Sequence, residues 1–183
     1  MTIRTPVVVV SGKIASGKTT FAKALSTELS VGCVGFGDEV RAVAESRGQP
    51  LIREVLQPIG EELVRNDPRG FCEAVLKRGG YTAGQGLVVE GLRHVEVLTV
   101  LRQLLLPYVV THVHISSPDE IRIERMENRG RVGDVALAAV DSHSTERQLN
   151  KELPDVADVI VDGSLSVTAM VAAAVAGVRS QTA

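Results

Sequence analysis

The sequence predicts an α/β protein in which helices cover both faces of a parallel sheet. Three observations support this fold class. Short runs of β-branched and other apolar residues alternate with longer segments that show helical periodicity. Glycine or acidic residues end several of those apolar runs. A glycine-rich turn separates the first apolar run from the first helical segment, which is typical of α/β proteins that bind phosphate groups.

The first predicted strand consists of a proline followed by four valines. The branched side chains of the valines favour a strand that is buried on both faces. The later strands are similar short apolar runs. The five predicted strands cover residues 6–10, 33–36, 87–89, 109–115 and 157–161. Ligands gather at the carboxyl ends of parallel strands, so the segments that follow these strands should line one edge of the sheet. The relevant segments are 12–19, 37–38, 90–91 and 162–163.

The predicted helices follow from apolar side chains that repeat every three or four residues. Phe21, Leu25 and Leu29 form one such face in the first helix. Pro58 should bend or restart a later helix, whereas Pro68 stands where a proline commonly begins one. The predicted helices cover residues 20–30, a segment after 38 that stops near 48, and then 51–66, 68–79, 95–106, 118–129, 136–140, 144–153 and 164–178.

The composition limits the class of protein. The 20 basic and 22 acidic residues argue against binding to nucleic acid or to a membrane surface through bulk charge. The apolar stretch at 167–178 is too short to span a bilayer, and no signal peptide is evident. Cys33 and Cys72 lack the spacing of a metal site and are expected to be small core residues. A single cytoplasmic domain over 1–183 is predicted, with its oligomeric state left open.

The strongest motif follows the first strand. The spacing Gly12-x-x-x-x-Gly17-Lys18-Thr19 matches the P-loop pattern in full. In that pattern backbone N–H groups surround phosphate oxygens, the lysine reaches the β- and γ-phosphates, and the hydroxyl of Thr19 can hold Mg²⁺. The motif predicts a site for a nucleoside triphosphate. Its members are Gly12, Ala15, Ser16, Gly17, Lys18, Thr19 and Thr20.

Two histidines alternate along the fourth predicted strand, where they would share one face of the sheet. The spacing of His112 and His114 suggests metal ligands, but no third ligand lies near them in the sequence. They are therefore predicted to be packed or half-exposed side chains.

Further segments resemble those of the nucleoside-monophosphate kinase group of P-loop kinases, which includes adenylate kinases, dephospho-coenzyme A kinases and phage-type deoxynucleoside-monophosphate kinases. Four of them are FGDEVR at 36–41, VEGLR at 89–93, ERMENRGR at 124–131 and DVIVDGS at 158–164. A fifth, IREVLQPIGEELVR at 52–65, resembles the phage-type enzymes. The resemblance implies a P-loop three-layer sandwich with a five-stranded parallel sheet in the order 2-3-1-4-5. It also implies acceptor-binding helices over about 37–80 and a short helical lid over about 125–142.

The resemblance assigns acceptor-site residues. FGDEVR places Asp38 and Arg41 in that site, VEGLR places Arg93 there, and the fifth segment adds Arg53 and Gln57. Asp38 would orient an acceptor hydroxyl or act as a base. The residues alone leave alternatives open, because an aspartate here can also cap the following helix and Arg41 can be a surface charge.

The resemblance also assigns residues on the side of the phosphate donor. Glu90 takes the position of an aspartate near Mg²⁺ in adenylate kinases, with a side chain one methylene longer. Arg125, Arg129 and Arg131 are candidate phosphate clamps, although a solvated helix face with ion pairs explains the same segment. The backbone at Asp162 and Gly163 would border the adenine of ATP.

These features predict an ATP-dependent phosphotransferase that moves the γ-phosphate of MgATP to a small nucleotide-like acceptor. A (deoxy)nucleoside monophosphate is the first expectation. Two alternatives remain open at this point. One is a kinase for a hydroxyl group on a coenzyme A precursor or a modified DNA base, and the other is an ATP-binding switch that hydrolyses ATP slowly.

Overall fold

The sheet has the architecture that the sequence predicts. A computed structural model describes residues 6–129 and 148–182, and in these ranges five parallel strands lie in the order β2-β3-β1-β4-β5. The strands are β1 (Val7–Gly12), β2 (Gly32–Gly35), β3 (Leu87–Leu92), β4 (Val110–Ser116) and β5 (Val159–Asp162). The predicted fold class and strand order are confirmed.

Helices flank the sheet on both faces. They are α1 (Lys18–Leu29), α2 (Phe36–Ser46), α3 (Arg53–Asn66), α4 (Pro68–Arg78), α5 (Val95–Leu104), α6 (Asp119–Arg129), a π-helical turn (Gln148–Glu152), α7 (Leu153–Asp155) and α8 (Val167–Thr182). The predicted helix at 136–140 and the beginning of the one at 144–153 lie outside the described residues. Within the described part of the chain, none of the helices has both the length and the hydropathy of a membrane span.

Strands β1 and β3 continue beyond the apolar runs from which they were predicted, toward the carboxyl edge of the sheet. The register between β1 and β3 shifts after Val10, so that Ser11 pairs with Leu92 and Gly91 is the extra residue. Gly91 has a φ of +86°, a left-handed conformation that side chains other than glycine rarely adopt. This bulge sets the direction of the chain between Glu90 and Arg93.

Helix α3 continues through Pro58, so the predicted restart is wrong, while a bend at this position stays a prediction. A proline inside a helix removes one backbone hydrogen bond, here the bond to the carbonyl of Glu54 in the first turn. Ile59 and Val64 are buried beyond this point and pack into the core. Burial of these side chains offsets the loss of a single hydrogen bond.

The core consists of one apolar cluster on each face of the sheet. Val7 and Val9 of β1 belong to the cluster that includes residues of α2 to α5, while Val8 and Val10 belong to the cluster with α1 and α8. Successive side chains of a strand point to opposite faces, so a central strand covered on both sides needs an uninterrupted apolar run.

The two cysteines differ in their surroundings. Cys72 is buried in the core as predicted, but the core prediction for Cys33 is wrong because its side chain is exposed. Cys33 lies in the outer half of β2, which is an edge strand that pairs only with β3 within the described residues. An edge strand lacks the second neighbour and part of the helical cover that bury a central strand.

Candidate functional site

The glycine-rich loop connects β1 to α1 at the carboxyl edge of the sheet. Gly17 caps the helix in the left-handed region, with a φ of +91°. A Cβ atom at Gly12 would lie 2.8 Å from the Ser16 hydroxyl oxygen and 2.9 Å from the backbone oxygen of Ile115. The loop therefore closes too tightly for a side chain at this position, and it presents the first turn of α1 to a bound anion.

The side chains of the loop also fit a phosphate ligand. Ala15 and Ser16 are buried, and Thr19 and Thr20 are exposed in the first turn of α1. The Lys18 ammonium donates to the backbone oxygen of Lys13 at 2.8 Å, so this side chain folds over the loop. The buried Ser16 hydroxyl has no hydrogen-bond partner within the part of the chain that the structure describes. A bound phosphate oxygen would supply the missing partner and remove the cost of that buried group.

Three oxygen-bearing side chains meet beside the loop. The Thr19 hydroxyl lies 3.4 Å from Glu90 Oε1. A Cβ atom at Gly35 would lie 3.0 Å from both Asp38 Oδ2 and Glu90 Oε1, so the two carboxylates approach the same glycine. A hydroxyl and carboxylates are the ligands that Mg²⁺ prefers in proteins. The residues present therefore fit a magnesium ion held by Thr19 and Glu90.

Asp38 has two partners, which correspond to the two interpretations of its role. Asp38 Oδ2 accepts a hydrogen bond from the Gly35 N–H at 2.7 Å, which caps α2 from inside its first turn. Asp38 Oδ1 accepts one from Arg41 Nη2 at 2.6 Å, and this ion pair is about half exposed. The Asp38 carboxylate can therefore cap α2 and still lie beside the glycine-rich loop.

A large cavity lies beside the loop, enclosed by α2, α3 and the connection from β3 to α5. Its volume is about 770 Å³. Four of the five predicted acceptor residues line it, namely Arg41, Arg53, Gln57 and Arg93, whereas Asp38 does not belong to the wall that the described residues form. Ile14 of the glycine-rich loop is also part of its wall, which places the cavity directly next to the loop. The fold thus brings together side chains that are more than fifty residues apart in the sequence.

Arg125 of α6 connects the two backbone segments predicted to surround the nucleotide. Its guanidinium donates to the backbone oxygen of Ser16 at 3.0 Å and to that of Gly163 at 2.9 Å. Asp162, in turn, accepts a hydrogen bond from the Ser164 N–H at 2.8 Å. Arg129 is the last residue of α6, and its side chain, Arg131 and the remaining predicted lid lie outside the described residues.

A second arginine of α6 supports the loop and was not found from the sequence. Arg122 is completely buried, and its Nε donates to the backbone oxygen of Ile14 at 2.9 Å. Its Nη1 donates to Asp119 Oδ1 at 2.7 Å, and the same carboxylate oxygen lies 3.7 Å from the Lys13 ammonium. The available signal was the spacing of three residues from Asp119 to Arg122 and from Arg122 to Arg125, which puts all three on one helix face.

A buried polar cluster lies under the start of the loop. The Ser11 hydroxyl is 2.7 Å from His112 Nε2 and 2.7 Å from His114 Nδ1. All three side chains are buried, which confirms the prediction that the histidines are packed residues. Burial lowers the pKa of each histidine to about 4, so both are neutral at pH 7. The cluster is closed to a substrate and ties β1 to β4 next to Gly12.

The family model described as AAA domain matches residues 8–136, which include the glycine-rich loop, the cavity and α6. The chain belongs to the AAA domain family. One relative of this chain is a UPF0200 protein of Pyrococcus abyssi. The two are 31% identical over 132 residues, which is 70% of each chain. A UPF0200 protein of Pyrococcus horikoshii has the same identity and coverage.

Solved structures that resemble this AAA domain protein are P-loop kinases. A gluconokinase from Sinorhizobium meliloti has a TM-score of 0.63 at 20% identity, covering 98% of this chain and 94% of that chain. A shikimate kinase from Aquifex aeolicus has a TM-score of 0.61 at 20% identity, covering 95% and 96%. The fold of the AAA domain protein is therefore that of P-loop kinases.

Replacing Arg122 with methionine should lower the free energy of unfolding by roughly 1.5–3 kcal/mol, because the change removes hydrogen bonds of a buried charged group. Urea denaturation would measure this. Arg69→Met is the matched control, since Arg69 is an exposed partner of Glu73 and its loss should cost less than about 1 kcal/mol. Equal destabilisation by the two substitutions would contradict a supporting role for Arg122.

The histidine cluster should make stability sensitive to acid. The pKa of each histidine is lower in the folded protein than the usual 6.5, so between pH 6.5 and 4 the unfolded chain binds more protons. The free energy of unfolding should therefore fall as the pH falls through this window, by on the order of 3 kcal/mol for each histidine. Urea denaturation across this range would test it. His114→Asn, which keeps a polar atom near Ser11, should flatten the dependence, and an unchanged slope would contradict the assignment.

Proposed function

We propose that this protein is a P-loop phosphotransferase that moves the γ-phosphate of MgATP to a nucleotide-like acceptor, namely a (deoxy)nucleoside monophosphate. The observation that carries the proposal is the cavity of about 770 Å³ beside the glycine-rich loop, lined by Arg41, Arg53 and Arg93. A protein that only switches between nucleotide-bound states needs no second, arginine-lined cavity next to its P-loop. A phosphotransferase needs one for its acceptor.

On the donor side, the loop and α1 bind the triphosphate, and the Lys18 ammonium neutralises charge on the transferring group. Thr19 and Glu90 are the residues that would hold Mg²⁺, which supplies positive charge at the phosphate oxygens when it is bound. Arg125 adds charge from the side of α6. The same role is assigned from the sequence to Arg129 and Arg131, of which the Arg129 side chain and all of Arg131 lie outside the described residues. Such positive charge stabilises a transition state in which negative charge spreads over the phosphoryl oxygens.

On the acceptor side, the arginines of the cavity bind the acceptor phosphate, since a guanidinium matches a phosphate with two parallel hydrogen bonds. Asp38 is held by the Gly35 N–H and Arg41 and lies at the same glycine as Glu90. We assign to Asp38 the orientation of the attacking acceptor oxygen. The walls contributed by Phe36, Val40 and Phe71 exclude water from the acceptor.

The proposal is tested by measuring ADP release with purified protein, MgATP and a panel of candidate acceptors. The panel contains ribo- and deoxynucleoside monophosphates, dephospho-coenzyme A, gluconate and shikimate, the last two because of the kinases that share the fold. We expect at least one nucleoside monophosphate to raise ADP release far above hydrolysis of ATP alone, and mass spectrometry should detect the diphosphate. Slow hydrolysis that no acceptor stimulates would contradict the proposal and favour the ATP-binding switch.

A further inference from the structure

The acceptor cavity contains carboxylates as well as arginines. Glu54 and Glu61 both line it, and the Glu61 side chain is partly buried. Glu61 Oε1 accepts a long hydrogen bond from Gln57 Nε2, at 3.4 Å. A ligand that is anionic throughout would be repelled by a partly buried carboxylate. The cavity is therefore suited to a ligand with an anionic part and a separate part that donates hydrogen bonds.

The cavity-lining residues of α3 are spaced so that the two parts of such a ligand would contact different ends of the helix. Arg53, Gln57 and Glu61 follow one another at intervals of four residues in an uninterrupted helix, and all three line the cavity. Residues four apart lie on the same helix face. The rise of 1.5 Å per residue puts the ends of this row about 12 Å apart along the axis. One end of the row is cationic and the other accepts hydrogen bonds, so an elongated ligand would meet the two ends with different groups.

The far end of the row is dominated by the Glu61 carboxylate, which only accepts hydrogen bonds. One N–H of the Gln57 amide donates to Glu61, and the amide oxygen of Gln57 is a further acceptor. His94 also lines the cavity, but burial lowers its pKa, so it is neutral at pH 7 and does not offset the charge of Glu61. A ligand group placed against the Glu61 carboxylate must therefore donate a hydrogen bond.

We propose that Gln57 and Glu61 read the base of the acceptor nucleotide and select bases that carry the amino group of cytosine N4 or adenine N6. This inference rests on the proposed function. Cytosine and adenine present an amino donor at the position where uracil and hypoxanthine present an oxygen. That oxygen would face the Glu61 carboxylate and stay unpaired with it, which strongly disfavours binding. The acceptor class is therefore a cytidine or adenosine monophosphate, in the ribo or deoxy form.

The test compares kcat/KM within acceptor pairs that differ at this position of the base, namely CMP with UMP, dCMP with dUMP, and AMP with IMP. The unmodified protein should prefer the amino member of at least one pair by roughly ten- to a hundred-fold, the effect of one hydrogen bond to a charged group. Glu61→Gln should reduce that preference to within about three-fold, because an amide can also donate to the oxygen of the other base.

Glu62→Gln is the matched control. Glu62 is the next residue of α3, pairs with Arg47 at 2.8 Å and does not belong to the cavity wall formed by the described residues, so this variant should keep the preference. Gln57→Met is a second variant in case Glu61→Gln does not fold, and it should weaken the preference as well. Equal use of both members of every pair, or an unchanged preference in both variants, would overturn the inference while leaving the kinase proposal intact. If no nucleoside monophosphate is phosphorylated, the proposed function fails and the inference fails with it.

Discussion

Replacing Lys18 with alanine is expected to abolish phosphoryl transfer, with a drop in kcat of roughly a hundred- to a thousand-fold or more. The lysine charge is needed mostly as charge develops on the transferring group, so the effect should appear in turnover more than in folding. The Lys18 ammonium has a hydrogen bond to the Lys13 backbone within the loop, and its removal should cost about 1 kcal/mol of stability. The coupled ADP assay and urea denaturation measure the two effects separately.

The control for this substitution is Lys23→Ala. Lys23 lies in the same helix, but its side chain is exposed and away from the loop. We expect this variant to retain the activity and stability of the unmodified protein. Near-normal turnover in Lys18→Ala would contradict the role of the loop in binding the phosphate donor, and with it the phosphotransferase proposal.

Replacing Arg41 or Arg93 with alanine should raise the KM for the acceptor by roughly ten- to a hundred-fold and leave the affinity for ATP within a few-fold. Removing an arginine that binds phosphate in a partly desolvated site costs roughly 1.5–3 kcal/mol of binding free energy. Both side chains line the cavity beside the loop rather than the loop itself. Titrating ATP and the acceptor separately would distinguish the two affinities.

The double variant should be impaired by less than the sum of the single effects, because both arginines would bind the same anion. Arg69→Ala serves as the control, since Arg69 forms an exposed pair with Glu73 on α4 and does not belong to the cavity wall that the described residues form. A loss of ATP binding in both single variants, with acceptor KM unchanged, would place these arginines on the donor side and contradict the assigned acceptor role.

The sequence alone was enough to predict the fold and the glycine-rich loop. The P-loop was predictable because its geometry depends on contiguous residues, with Gly12 and Gly17 in conformations or contacts that exclude side chains. The parallel sheet was predictable because strands buried on both faces must be apolar throughout, as β1 is over its four valines. Four of the five predicted acceptor residues line one cavity. Arg41 and Arg93 belong to segments that follow β2 and β3 at the carboxyl edge of the sheet, whereas Arg53 and Gln57 lie in α3.

Only the tertiary structure decided how these local pieces are supported. A charged helix face normally faces solvent, so the spacing of Asp119, Arg122 and Arg125 does not by itself indicate that Arg122 is fully buried under the loop. Ser11 contacts His112 and His114, which are about a hundred residues away in the sequence. Glu61 lines the cavity because α3 continues past Pro58 without interruption. Such contacts depend on which helix face turns toward the sheet and on which strands become neighbours. Both are set by long-range packing, which no local pattern of residues encodes.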